Sequence, residues 1–61
     1  MGESTIATQV RQSAARSGSP LRDMCEQECV AKLVNQASKT VEFLFSDKST
    51  INMLATQDDM E

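Results

Sequence analysis

The chain contains no His, Trp or Tyr, and that absence removes whole classes of chemistry. Histidine is the commonest general base and the commonest metal ligand, so neither a Ser-His-Asp nor a Cys-His arrangement can be assembled within one copy. The two glycines, Gly2 and Gly18, are too few and too far apart for a phosphate-cradling loop. No apolar run exceeds three residues, as in Phe43-Leu44-Phe45, whereas a membrane-spanning helix needs about 20. Enzymatic activity, a cofactor, a metal and a membrane span are therefore not expected.

Strong core formers are also scarce. Leu, Ile, Val and Phe together make 12 of the 61 residues, close to the level below which charged chains stay unfolded. A chain this short also buries only roughly 60 % of its unfolded surface. One domain over 1–61 is expected, completed by a partner or a second copy, with residues 1–4 and 58–61 disordered. The N-terminus lacks the charged lead and apolar block of a secretory signal. Met1-Gly2 is not read as a myristoylation site, because Ile6 stands where that motif wants Ser or Thr. The expected location is intracellular, cytoplasmic or nuclear.

Charge is unevenly placed within the net of −3. Residues 5–22 hold Arg11, Arg16 and Arg22 without an acid, while residues 23–61 set three lysines against eight acids. Three arginines without stacking aromatics are a thin basis for phosphate contact, so nucleic acid is not an expected partner.

The pattern reads as all-α. Ser4 or Thr5 can cap a weak helix over about 5–16, with Ile6, Val10 and Ala14 on one face. In Ser17-Gly18-Ser19-Pro20, Gly18 suits a left-handed helix end, Ser19 an N-cap and Pro20 the first helical position. One long amphipathic helix is predicted over about 20–45, where neither Gly nor Pro intervenes after Pro20. Val30, Val34, Ala37, Val41 and Leu44 recur at spacings of 4, 3, 4 and 3, a heptad seam flanked by Leu33 and Phe45. Ser46-Asp47-Lys48-Ser49-Thr50 reads as a break, followed by a short helical segment over about 50–57 carrying Ile51. A helical bundle or short coiled coil formed by oligomerisation is the expected architecture.

The expected function is a protein–protein interaction module, an oligomerisation or docking segment of a larger protein or assembly. Its interface would be the apolar helix face of Val30, Leu33, Val34, Ala37, Val41, Leu44, Phe45 and Ile51. The expected partner is another copy or a helical subunit. The alternative is a small helical regulatory protein that dimerises and modulates transcription or a partner enzyme.

Three further features invite a chemical reading. Cys25 and Cys29 lie four residues apart and could supply half a metal site or a redox pair. The same CX3C spacing occurs in small intermembrane-space helical hairpins, but those need a second such motif that this chain lacks. The simpler reading is two small apolar residues in a reducing compartment. Ser19-Pro20 is a minimal proline-directed phosphorylation sequence, although capping alone explains it. Phe43 lies off the main seam and is read as an internal contact ahead of a separate binding site.

Overall fold

A computed structural model describes residues 4–61. The element order is α1 (Ile6–Ser17), α2 (Leu21–Glu28), β1 (Ala31–Asn35), β2 (Thr40–Leu44), β3 (Thr50–Leu54) and α3 (Gln57–Met60). The three strands form one antiparallel meander in the order β1-β2-β3. The chain is thus α+β. This corrects the all-α expectation and, with it, the helical bundle and the coiled coil.

The first helix follows its local signals. The Thr5 side chain accepts from the Thr8 N–H, and Gly18 ends the helix at φ 73°. Ala7, Val10 and Ala14 are its buried face. The next start is shifted by one residue: Pro20 is the N-cap of α2, with no side-chain cap, so Ser19 does not fill that role.

The long helix expected over 20–45 ends at Glu28. Beyond it, Cys29 is extended and the remainder forms the β1–β2 hairpin. The physical reason lies in Val41, Phe43 and Phe45. Spaced by two, these residues would point to opposing sides of a helix, but they share one face of a strand. β-branched and aromatic side chains also prefer that pleated surface. All three are at most 1 % exposed. The segment expected as helix over 50–57 is strand β3 followed by the single turn of α3. There Ile51 faces Phe43 across the ladder and is buried with it. Of the tail expected to be disordered, Asp58, Asp59 and Met60 lie in α3. Residues 1–3 of the expected disordered head lie outside the described residues.

Neither hairpin turn contains the glycine that usually supplies positive φ. Lys39 (φ 58°) closes the β1–β2 turn and Lys48 (φ 73°) the β2–β3 turn. The Asn35 side chain steadies the first turn by accepting from the Ser38 N–H at 3.1 Å. The second turn also caps a distant helix. Asp47 Oδ2 accepts from the Ile6 N–H at 2.8 Å, and Ser49 Oγ from the Ala7 N–H at 3.1 Å. With Thr5 on Thr8, three of the four orphan donors of α1 find side-chain acceptors. A hydrogen bond from the Ser49 hydroxyl, followed by the one from the Ile6 N–H, holds the Asp47 carboxyl below its ordinary pKa.

The core lies between α1, α2 and one face of the sheet. It joins Ala7, Val10 and Cys25 to Val41, Phe43, Phe45 and Ile51, with Leu21, Met24, Val34 and Met53 packed around them. Among the described residues, no helix is long and apolar enough to cross a membrane.

Candidate functional site

Cross-strand pairing divides the strand residues into two sets. Lys32, Val34, Val41, Phe43, Ile51 and Met53 face the helices, since Lys32 and Ile51 both stand opposite Phe43, and Val34 and Met53 opposite Val41. The other face carries three rows across the sheet: Ala31-Leu44-Thr50, Leu33-Glu42-Asn52 and Asn35-Thr40-Leu54. Leu33, Asn35, Asn52 and Leu54 are exposed, so among the described residues no element covers this face.

Its chemistry is mixed in a definite way. Leu33 is 53 % exposed and Leu54 78 %, while Leu44 is half-buried. These leucines stand around Glu42, the one charged side chain among the nine positions, which has Leu33 on one neighbouring strand and Asn52 on the other. A shallow hollow of about 680 Å³ lies over Glu42, Leu33, Thr40 and Asn52 and runs to the turn at Gln36. Its volume is that of a small-molecule pocket, but it is open and lacks convergent ionisable groups. Among the described residues, no group of three potential metal ligands occurs.

The interface expected on one helix face is distributed over the sheet. Val41, Phe45 and Ile51 are in the core, and Val34 packs against it. Leu33 and Leu44 lie on the open face. Val30 is 61 % exposed just before β1, and Ala37 is exposed in the β1–β2 turn. The open face therefore retains two members of the expected set and adds Leu54, Glu42 and Asn52, which the heptad reading missed. A signal for Glu42 was present: alternation through Val41-Glu42-Phe43-Leu44-Phe45 sets Glu42 on a second face with Leu44.

The helix-covered face ends in a charged corner. The Asp59 side chain is 2 % exposed and pairs with Arg22 and, at 2.8 Å, with the Lys32 ammonium. It also accepts from the Thr56 N–H at 2.8 Å as half of a capping box. The Lys32 contact, then the Thr56 N–H and Arg22, holds its carboxyl well below the usual carboxylate range. Arg22 bonds Glu26 at 3.1 Å and lies 5.9 Å from the Phe43 ring centroid. The Gln36 amide donates to the Met60 carbonyl at 3.3 Å. Each charge in this corner has a partner, and together these contacts moor α3 on the β1 side of the sheet.

Cys25 is fully buried, and desolvation pushes its thiol pKa up, which disfavours the reactive thiolate. Cys29 is half-buried at the end of α2, with its thiol 3.7 Å from the Glu26 carbonyl. Both are free thiols. Ser19 is exposed in the connection between the first two helices. No protein-family model, curated protein or solved structure matches the chain.

Proposed function

We propose that the chain is a protein-docking module that receives an apolar helical segment of a partner protein on the open face of its sheet. The observation that carries this reading is the triangle of Leu33, Leu44 and Leu54 around the Glu42 carboxylate, on a face that no element covers among the described residues. A helix packed on a sheet buries such a face, as α1 and α2 do on the other side. The carboxylate selects the partner: burying Glu42 unpaired is costly, so the arriving apolar stripe must carry a Lys or Arg. Two copies stacked face to face would set one Glu42 against another, which disfavours self-association by this surface.

A displayed library of amphipathic helices, varied at one position within the apolar stripe, tests the reading directly. Helices with Lys or Arg there should be retained over those with Glu. The double variant Leu33→Asp, Leu54→Asp should weaken binding by about 100-fold or more, the effect expected for anchor residues. Glu42→Gln should bind Lys, Leu and Glu helices more nearly alike. Equal retention of Lys and Glu helices by the native chain, or binding that survives the double variant, would refute this function.

A further inference from the structure

We infer that the chain pairs with a second copy of itself through the outer edge of β3, joining two three-stranded sheets into one. This goes beyond the docking of a partner on the open face and uses different atoms, the backbone of the edge strand.

The ladder determines which backbone groups point outward. The Phe45 N–H donates to the Ser49 carbonyl and the Ala55 N–H to the Lys39 carbonyl, both near 3.0 Å. Hydrogen-bonded and non-bonded pairs alternate in an antiparallel ladder. Between those two ends, Ile51 and Met53 therefore bond to β2, while Thr50, Asn52 and Leu54 turn their N–H and C=O groups away from it. None of these outward groups is bonded to another described residue.

The two edges of the sheet differ in how they are guarded. The β1 edge carries Lys32, and α3 is moored beside it through Lys32–Asp59 and Gln36–Met60. Charge and a covering element are the usual protections of an edge strand. The β3 edge, Thr50-Ile51-Asn52-Met53-Leu54, has no charge and no Pro.

That sequence is also self-complementary about Asn52. With a two-fold axis there, Asn52 meets Asn52 of the second copy, and Thr50 meets Leu54 of the second copy. In this register all the outward residues exchange N–H and C=O groups in hydrogen-bonded pairs, and no like charges are opposed. Leu54, 78 % exposed, would lie between Thr40 of its own chain and Thr50 of the second copy. The open faces of the two sheets would then form one continuous surface.

Sedimentation equilibrium of the full chain tests the pairing. An edge alone buries less surface than a standard interface, so the native chain should pass from monomer to dimer between about 10 µM and 1 mM. Asn52→Pro removes an outward N–H and leaves the β2–β3 bonds intact, because proline is tolerated where its nitrogen faces away from the sheet. It should weaken the dimer by about tenfold or more while far-UV circular dichroism stays native. Should Asn52→Pro unfold the chain, Asn52→Lys serves instead. It folds beside Glu42, opposes like charges across the axis, and should dimerise less at low salt than at high salt.

A native chain that remains monomeric at 1 mM overturns the pairing and leaves the docking of a basic helix standing. A dimer unmoved by the folded Asn52 variant overturns the pairing as well. If that dimer is instead lost in Leu33→Asp, self-association belongs to the open face and both readings fall.

Discussion

The two faces of the sheet are made by the same three strands, yet neighbouring residues on them have opposite fates. On one, Val41, Phe43 and Ile51 are buried at 2 % exposure or less beneath two helices. On the other, Leu33 and Leu54 stand in solvent around Glu42. Hydrophobicity does not separate the two sets, since leucine lies on the open side and Lys32 on the covered one. What separates them is strand parity and the presence of an overlying element. The few large apolar residues are concentrated on one face to give a small core, and Leu33, Leu44 and Leu54 are left on the other.

The largest expected effects break this contrast in the core. Phe43→Ala should cost about 3–5 kcal/mol, comparable with the whole stability a core of this size supplies. Leu33→Ala, on the other face, should stay within about 0.5 kcal/mol. Urea titrations followed by far-UV circular dichroism measure both. Comparable losses at the two positions would show that the open face is covered within the folded chain.

An intermediate effect is expected at the charged corner. Asp59→Asn retains a side-chain oxygen for the Thr56 N–H but removes the charge held by Lys32 and Arg22. Amide exchange in residues 56–60 should rise markedly while the β2 amides remain protected. Acid should do the same to the native chain. Because the folded-state pKa is lowered, this contribution is fully present above the unfolded value of about 4 and disappears as pH falls through the folded-state value. Exchange that is insensitive to both changes would mean that α3 is not held by its carboxylate.

The smallest effect concerns the turns that decide which residues face which way. Lys39→Gly and Lys48→Gly relieve positive-φ backbones and should each stabilise by up to about 1 kcal/mol, less the added freedom of the unfolded chain. Thermal melts of the two variants check this.

Part of the fold was legible in the residues. Thr5, the Ile6-Val10-Ala14 spacing and Gly18 define α1 through interactions spanning a few residues. The hairpins were not legible as such, because Lys39 and Lys48 occupy positions where Gly or Asn would have announced a turn. The spacing of Val30, Val34, Ala37, Val41 and Leu44 imitates a heptad although a turn runs through Ala37. The competing alternation at Val41, Phe43 and Phe45 was the truer signal. For a short apolar stretch, period alone does not choose between helix and strand. Of the expected interface, Leu33 and Leu44 share an open surface, while Val41, Phe45 and Ile51 were recognised as apolar anchors but serve the chain's own core.

The sequence by itself determined where α1 begins and ends, and which residues are apolar enough to need burial. These follow from side-chain type and from contacts within one helical turn. Only the tertiary structure decided that the stretch after Glu28 is sheet, that the β2–β3 turn caps α1, and that Asp59 meets Lys32 and Arg22. Such outcomes depend on groups far apart in the chain, and the gain from placing Val41, Phe43 and Phe45 on one face exists only once two helices are there to cover them.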